Sequence, residues 1–305
     1  MARSYSVYDV FTDSRLAGNP LAVIFDGDGL SDAVMQAIAR EMNLSETVFV
    51  CSASNPAYSA SLRIFTPGRE LPFAGHPTVG TAIALAERSH AGQGGELDLV
   101  CVLDEKVGPV RCAVRLRQQQ ASFAEFDLPR KSQQISLPLD TTGIANALGL
   151  QPSEVGFENH TVSLWSAGVP FVIIPLRDIG TAGRVEFDPQ LWERTAPFVD
   201  GALASAYLYC RGTVNHTASF HARMFAAGMG IVEDPATGSA VAALSGAIHR
   251  FDRLPDGHHP VIIEQGVEMG RASLIHLHID VTGGEIANAR IGGQAVRIAS
   301  GTLEL

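Results

Sequence analysis

Two short segments that are rich in alanine and apolar on every side constrain the fold of this chain more than any other feature. The first follows Pro77 and ends at Leu85, and the second follows Pro235 and ends at Leu244. A helix without a polar face has to be buried on all sides, so each segment predicts a helix at the centre of a core. With 305 residues, 46% of them hydrophobic, the chain is long enough for about two such cores.

The two segments align as parts of an internal duplication. Arg63-Ile-Phe65 aligns with Arg223-Met-Phe225 after a slip of two positions. Runs typical of β-strands surround both segments, so we predict an α/β (α+β) fold with two pseudo-symmetric lobes, each a curved, mostly antiparallel sheet around a central helix. At an offset of 158 positions, the aligned pairs are Pro77 with Pro235, Gly80 with Gly238, Thr81 with Ser239, Ala82 with Ala240 and Ala84 with Ala242.

Other patterns define elements around these helices. Apolar residues recur at helical spacing from Val34 to Met42, which predicts an amphipathic helix with Ser31 as its N-cap. Residues 187–199 predict another helix, and the polar stretch 129–134 is typical of a linker. We predict an active site in the cleft between two lobes, which comprise residues 1–128 with the tail 293–305, and residues 129–292.

The charge of the chain excludes several classes of partner. Its 32 acidic and 22 basic residues give a net charge of -10, the wrong sign for binding phosphates over a broad surface. We therefore expect neither nucleic acid nor a membrane as a partner, and no stretch approaches the roughly 18 apolar residues of a membrane span. The 4 cysteines are scattered, which argues against a disulfide framework or a zinc site and fits a reducing cytoplasm.

The residues at the start of the two apolar helices are candidates for a functional site. A proline in the first helical turn leaves backbone N–H groups without partners inside the helix, and such a start attracts anions. His76 and Asp234 precede the two prolines, and both side chains can transfer protons or bind a substrate. Two such starts that face each other can hold a carboxylate. Taken alone, either residue is equally consistent with a simple helix cap.

Glu46 is a third candidate, in the step Ser45-Glu46-Thr47 between a helix and a strand. A carboxyl group flanked by Leu44 and Val48 at the edge of a core can have a raised pKa and act as a general acid or base. On spacing alone, an isolated glutamate at a helix end is more often a solvated residue.

Two further patterns have simpler interpretations. His276, His278 and Asp280 alternate with apolar residues, as in an ordinary half-buried strand, so we predict no metal site. Gly18 and Asn19 either form the turn before the second strand or line the cleft.

Seven stretches of the sequence resemble one known family, the PhzF-like proteins, named for the phenazine-biosynthesis isomerase and related in fold to diaminopimelate epimerase. In order they cover the chain nearly from end to end, and as a set they are highly specific. The stretches are Ala17-Gly-Asn-Pro-Leu-Ala-Val23, Met35-Gln-Ala-Ile-Ala-Arg-Glu41, Asn43-Leu-Ser-Glu-Thr47, Ile64-Phe-Thr-Pro67, Leu71-Pro-Phe-Ala-Gly-His-Pro-Thr-Val-Gly-Thr81, Glu233-Asp-Pro-Ala-Thr-Gly-Ser-Ala240 and Gln265-Gly-Val-Glu-Met-Gly-Arg-Ala-Ser273.

The resemblance implies a diaminopimelate-epimerase-like fold, an active site between the lobes, no cofactor and a homodimer. It also implies that Glu46 is the catalytic acid/base, assisted by His76, Asp234 and Ser239, on a small carboxylate such as trans-2,3-dihydro-3-hydroxyanthranilate. It favours a part for Arg271 in orienting the second motif or bridging the lobes, without assigning one. The residues expected to bind substrate are Asn19, Gly75, Thr78, Gly80, Thr81, Thr237, Gly238 and Ser239.

The chain departs from the related epimerases, in which two cysteines face the α-carbon. Gly75-His76 and Asp234 stand in the equivalent regions, so neither motif supplies a thiolate. We therefore predict an isomerase that works by acid/base proton transfer. Two alternatives remain: a non-catalytic carboxylate-binding or interaction module of the same fold, and an amino-acid racemase or lyase.

Overall fold

The chain folds into two units of mixed α/β structure. A computed structural model describes residues 2–117, 120–227 and 231–305. Unit 1 contains the described residues up to Pro129 together with Ile291–Leu305, and unit 2 contains Arg130–Arg290.

Unit 1 consists of strands and two helices. The helices are α1 (Asp32–Met42) and α2 (Gly75–Ser89). The strands are β1 (Ala2–Val10), β2 (Asn19–Ile24), β3 (Glu46–Cys51), β4 (Ala60–Phe65), β5 (Glu70–Leu71), β6 (Leu97–Glu105), β7 (Gly108–Leu116) and β8 (Ser122–Asp127).

Unit 2 has more, and shorter, elements. Its helices are α3 (Thr141–Ala147), α4 (Ile179–Gly183), α5 (Pro189–Thr195) and α6 (Gly238–Asp252), with a 3-10 turn at Pro152–Glu154. Its strands are β9 (Gln133–Gln134), β10 (Ser163–Ser166), β11 (Pro170–Pro175), β12 (Phe198–Val199), β13 (Ala202–Leu203), β14 (Ser205–Cys210), β15 (Phe220–Ala226), β16 (Ile231–Asp234), β17 (Gly257–Gln265) and β18 (Ser273–Thr282). The last strand, β19 (Glu285–Glu304), begins in unit 2, and its later residues pair with β1 in unit 1.

The two units repeat one series of strand pairings. In unit 1, β2 and β3 are parallel, β4 is antiparallel to β3 and β5, β6 is parallel to β4, and β7 is antiparallel to β6. In unit 2, β11, β14, β15, β16, β17 and β18 follow the same series. The register repeats as well. Ala60 pairs with Leu103 in unit 1, and the residues 160 positions after them, Phe220 and Ile263, pair with each other in unit 2.

One ion pair is repeated with the strands. Arg63 Nε lies 2.7 Å from Glu70 Oε1, and Arg223 Nε lies 2.7 Å from Glu233 Oε1; in each pair a second guanidinium nitrogen contacts the other carboxylate oxygen. Each arginine also lies over the phenylalanine ring two residues further along. These bidentate contacts hold together the two strands that lead into each central helix.

Both central helices are buried, as their composition predicts. Every residue of α2 from Gly75 to Ala84 is buried, and α6 is buried over most of its length. Small residues permit this close packing. At Gly80, a Cβ would lie 2.6 Å from Leu21 and 2.7 Å from Val10, so any larger residue would have to displace the side chains of β1 and β2 that pack against α2.

Several boundaries differ from the sequence predictions. Ser31 is the N-cap of α1, as expected, and β18 alternates between buried and half-buried residues. The helix predicted over 187–199 is wrong at both ends, because Asp188 caps α5 and the chain leaves the helix at Ala196, just before Pro197. The predicted linker 129–134 is also partly wrong, since its last two residues form β9 and pair with β10.

We expect Gly246→Ala in α6 to destabilise the protein. A Cβ there would lie 2.5 Å from the buried ring of Trp165 and 2.6 Å from Ser132 Oγ. The overpacking should cost about 1–3 kcal/mol, against a gain in helix propensity of about 1 kcal/mol. Urea unfolding measures the difference. Gly183→Ala is the control, because a Cβ at the end of α4 meets nothing within 4 Å; equal stability of the two variants would contradict the packing argument.

Candidate active site

Glu46 and Asn19 begin two neighbouring parallel strands. Asn19 is the first residue of β2 and Glu46 the first of β3, and Leu21 is paired with Glu46 in the register. Because the strands are parallel, both residues lie at the same edge of the sheet. The Glu46 side chain is only 11% exposed, so the solvated interpretation of this residue is wrong.

The start of α2 lies against Glu46. The N-cap of the helix is Ala74, which provides no side-chain hydrogen bond, and the backbone N–H groups of Gly75 and His76 have no carbonyl acceptor within the helix. His76 Nε2 lies 3.4 Å from Glu46 Oε2. The cap interpretation of His76 is therefore wrong, since its side chain is directed at a carboxyl group on the neighbouring strand.

His76 is neutral at physiological pH. Complete burial of the ring lowers the pKa of His76 to about 3, because the cationic form loses its hydration. The 3.4 Å contact is therefore one between the Glu46 carboxyl group and an uncharged imidazole. A neutral ring can donate a hydrogen bond from one nitrogen and accept one at the other.

Thr78 and Thr81 continue the buried face of α2. The Thr78 hydroxyl lies 2.8 Å from the Ala74 carbonyl oxygen and 2.8 Å from Glu105 Oε1. Thr81 is completely buried. Gly80 has the packing role described above, and its predicted part in substrate binding stays a prediction.

The start of α6 differs from that of α2. The duplication predicts a proline in the first turn of both helices, and Pro77 satisfies this, whereas Pro235 lies before α6, which begins at Gly238. The prediction for Pro235 is therefore wrong. The cause is that Asp234 still pairs with Met224 as the last residue of β16, so the helix cannot begin until the chain has left the sheet.

A buried amide fixes the residues between β16 and α6. Gln265 Nε2 donates to the Asp234 carbonyl oxygen at 2.8 Å and to Thr237 Oγ1 at 3.0 Å. Thr237 Oγ1 in turn donates to Asp234 Oδ2 at 2.5 Å, and Tyr207 Oη donates to Gln265 Oε1 at 3.2 Å. Burial, and then the charge of Asp234, raise the pKa of Tyr207 far above its ordinary value, so this hydroxyl stays a donor. Next to this network, Ser239 is half-exposed at the start of α6.

A charged histidine stabilises the end of β17, the strand that carries Gln265. His221 on β15 is fully buried, and its two ring nitrogens lie 2.8 Å from Glu264 and 2.9 Å from Glu268. Burial alone would lower the pKa of His221, but the hydrogen bonds and negative charges of the two glutamates raise it to about 9. The cation ties Glu264, the neighbour of Gln265, to the turn that follows β17.

Sequence reasoning missed Gln265, His221 and Glu105 as parts of the surroundings of the site. Gln265 begins one of the seven matched stretches, but nothing in its spacing indicates a contact with Thr237. The signal that could have found Glu105 and Gln265 is the offset of 160 positions between them, the same offset that relates Arg63 and Arg223.

One group of side chains has the composition of a metal site. Glu158, His160 and Asp252 bring potential ligand atoms within 4.8 Å of one another. Both ring nitrogens of His160 are already engaged, with Tyr209 Oη at 2.7 Å and Asp252 at 2.8 Å, and the Arg211 guanidinium contacts both carboxylates. The guanidinium supplies the positive charge that a metal ion would bring, so these residues form an ion-pair network.

The four cysteines are free thiols that lie in strands. They belong to β3, β6, β7 and β14, and none is at the start of α2 or α6. This distribution supports the prediction that proton transfer does not use a pair of thiols. No helix in the described part of the chain combines the length and the apolar character that crossing a membrane requires.

Comparison with known proteins identifies the family. A family model described as phenazine biosynthesis-like protein (PhzC-PhzF) matches residues 8–301. The chain belongs to this family, as the seven stretches indicated. Its relatives include an uncharacterised isomerase of Mesorhizobium japonicum, 56% identical over 99% of this chain and 98% of the relative. The trans-2,3-dihydro-3-hydroxyanthranilate isomerase of Pseudomonas fluorescens is 34% identical over 99% of both chains. The chain is accordingly an isomerase of the PhzF family.

Solved structures agree with this assignment. The crystal structure of a Bacillus anthracis protein of the PhzF family matches with a TM-score of 0.87, 25% identity and complete coverage of both chains. A hydroxyproline epimerase from Agrobacterium vitis matches with a TM-score of 0.67 over 99% of this chain and 92% of that one. At 11% identity, the second likeness shows the fold alone. The epimerase-like fold class is confirmed, while the cleft between lobes, the homodimer, the cytoplasmic location and the roles of the site residues stay predictions.

We expect His76 and His221 to show opposite charge states at pH 6.5, the ordinary pKa of histidine. His76 should be neutral and His221 doubly protonated in ¹⁵N NMR spectra of the rings, with the signals assigned by His76→Gln and His221→Gln. A half-protonated ring at either position would contradict the argument.

The shifted pKa values of His76 and His221 also predict how the stability of the protein depends on pH. The His221 contribution to the free energy of unfolding is present in full below pH 6.5 and is lost as the pH rises towards about 9. The His76 contribution is lost in the other direction, as the pH falls from 6.5 towards about 3. Urea unfolding of the wild type and the two variants over this range separates the two effects.

Proposed function

We propose that this chain is a cofactor-independent isomerase in which Glu46, next to the start of α2, is the general acid/base. The observation that carries this proposal is the buried contact of Glu46 Oε2 with the neutral ring of His76, 3.4 Å away at the start of α2. A buried carboxyl group beside an uncharged hydrogen-bonding ring is a suitable pair for moving a proton to and from carbon.

In the proposed reaction, the Glu46 carboxylate removes a proton from a carbon atom next to a conjugated system. The C–H bond breaks, its electron pair moves into the conjugated system, and the proton is returned at another carbon of the same molecule. The atoms of product and substrate are therefore the same. His76, as a neutral donor or acceptor, orients the carboxyl group and the reacting part of the substrate.

The helix starts provide the anion-binding part of the proposed site. At α2 the N–H groups of Gly75 and His76 have no acceptor within the helix, and at α6 the same holds for those of Gly238 and Ser239. In both places the positive end of a helix dipole favours negative charge. A substrate carboxylate can thus be bound by backbone groups alone, which suits a chain with a net charge of -10.

Asp234 and Ser239 contribute the second set of polar groups. The Asp234 carboxylate is held by the Thr237 hydroxyl and stands at the end of β16, while the half-exposed Ser239 hydroxyl is able to reach a ligand. We propose that Asp234 accepts a hydrogen bond from a substituent of the substrate and that Ser239, with Thr237 and Asn19, completes the polar lining. Arg271, whose backbone N–H donates to the Gly266 carbonyl oxygen at 2.9 Å, is proposed to orient this motif.

The proposed substrate class is a small, conjugated cyclic carboxylate. The support for it is the relative from Pseudomonas fluorescens, which is named for the isomerisation of trans-2,3-dihydro-3-hydroxyanthranilate and matches over nearly its whole length. This compound, a ring with a carboxylate and a mobile proton, suits a buried acid/base next to a helix start that favours anions.

The test is exchange of carbon-bound hydrogen in D₂O. The wild type, incubated with trans-2,3-dihydro-3-hydroxyanthranilate and separately with a metabolite extract, should introduce deuterium at carbon in an isomeric product, detected by mass spectrometry. Glu46→Gln should lower the rate of labelling by about 10²–10⁴-fold, the usual contribution of a general acid/base.

The control is Glu41→Gln, which removes an exposed carboxylate five residues away and should label at the wild-type rate. Equal labelling by Glu46→Gln and the wild type would exclude Glu46 as the acid/base. A labelled product of inverted configuration at one carbon, without a shifted double bond, would point instead to a racemase.

A further inference from the structure

Glu105 is a buried carboxyl group that the proposed reaction does not use, although it lies against the start of α2. It is the last residue of β6, it is 6% exposed, and its Oε1 lies 2.8 Å from the hydroxyl of Thr78, two residues after His76. Within the described residues no cation pairs with Glu105, and its other oxygen, Oε2, has no hydrogen-bond partner. An ionised carboxylate in such surroundings is costly.

Gln265 occupies the equivalent position in unit 2. It is the last residue of β17, which pairs with β15 in the register that β6 has with β4, 160 positions earlier. Like Glu105, it contacts a threonine hydroxyl at the start of a central helix, since Gln265 Nε2 donates to Thr237 Oγ1 at 3.0 Å. The duplication has therefore left an amide donor in one unit and a carboxyl group in the other.

Counting protons around Thr78 indicates which form of Glu105 fits. The hydroxyl has a single proton, and it lies 2.8 Å from two oxygen atoms, the Ala74 carbonyl and Glu105 Oε1. A carbonyl oxygen only accepts, so if Thr78 donates to Ala74, Glu105 has to donate to Thr78. Only a protonated Glu105 satisfies both contacts. It then acts as the Gln265 amide does, as a donor to a threonine oxygen.

We propose that Glu105 is a positioning residue that stays protonated and, by donating its carboxylic O–H to Thr78, fixes the first turn of α2 on which Gly75 and His76 lie. Ionisation would draw the Thr78 proton away from Ala74, the N-cap carbonyl of the helix. The effect of Glu105 on catalysis rests on the proposed function of this helix start, whereas the protonation of Glu105 does not depend on that function.

The surroundings of Glu105 are consistent with a neutral carboxyl group. Burial raises the pKa of Glu105 to about 8. The Cys112 thiol on β7 interacts electrostatically with Glu105, and His76 lies two residues before Thr78 on α2. The pKa of the Cys112 thiol is raised, by its contact with Cys101 and by burial, and His76 is neutral, so neither brings a positive charge. The nearest cation along the chain, Lys106, pairs instead with Glu70.

Two variants test the catalytic part. The activity of the wild type should fall above about pH 8, as Glu105 ionises. Glu105→Gln keeps the donor and cannot ionise, so it should retain most of kcat/KM at pH 6.5 and should not show this fall. Glu105→Leu removes the donor and should lower kcat/KM by about tenfold or more at every pH. Glu41→Gln, which changes an exposed carboxylate, should keep the wild-type pH profile.

Two measurements need no substrate, so they separate this proposal from the proposed function. The infrared spectrum of the wild type at pH 6.5 should contain the carbonyl band of a protonated carboxylic acid, which is absent from Glu105→Gln. Relative to Glu105→Gln, the wild type should also lose stability to urea as the pH rises from about 4.5 to about 8, because the folded state retains a proton that the unfolded state releases.

Each result decides the question. If the infrared bands and the stability curves of the wild type and Glu105→Gln coincide, Glu105 is ionised and the proposal is wrong, whatever the enzyme converts. If the protonated band is present but the pH profiles of kcat/KM superimpose, Glu105 does not position the helix start. Should Glu105→Leu fail to show a cooperative unfolding transition, the comparison with Glu105→Gln still gives the answer.

Discussion

Burial of two helices that have no polar face is the constraint on which the rest of this structure depends. A helix buried on all sides still presents unpaired N–H groups in its first turn, and these need partners. In both units the first turn is placed at the ends of strands, where side chains from the sheet reach it. Backbone N–H groups without acceptors would destabilise a closed core. At a helix start, the same groups favour the binding of an anion.

The two units share the ion pair that joins the strands before each central helix, but they differ in the side chains at the helix starts. The arginine–glutamate pair before each central helix is the same in both units, and in each it joins two antiparallel strands. Each central helix begins four residues after the end of a strand, at Leu71 and at Asp234, but the side chains at the two helix starts differ. Unit 1 has a histidine in the first turn of α2, and unit 2 has an aspartate at the strand end before α6.

Burial and neighbouring charges together set the protonation states of the buried histidines. The deep position of His76 removes its charge, while two glutamates keep His221 charged at a similar depth. The two histidines differ in charge because the residues around them differ. The ring beside Glu46 is neutral, whereas the charged ring beside Glu264 acts as a fixed structural cation that holds the turn after Gln265 in place.

The sequence alone determined the central helices, the duplication, the family and the candidates Glu46, His76 and Asp234, because these depend on composition and on local motifs. It did not determine where helices begin, since α6 and α5 start and stop according to strand pairing and capping side chains. Nor did it indicate the contacts of Thr78 with Glu105 and of Thr237 with Gln265, or whether Glu46 is buried. Those depend on residues brought together from distant parts of the chain, and only the tertiary structure decides which of them meet and how much water remains between them.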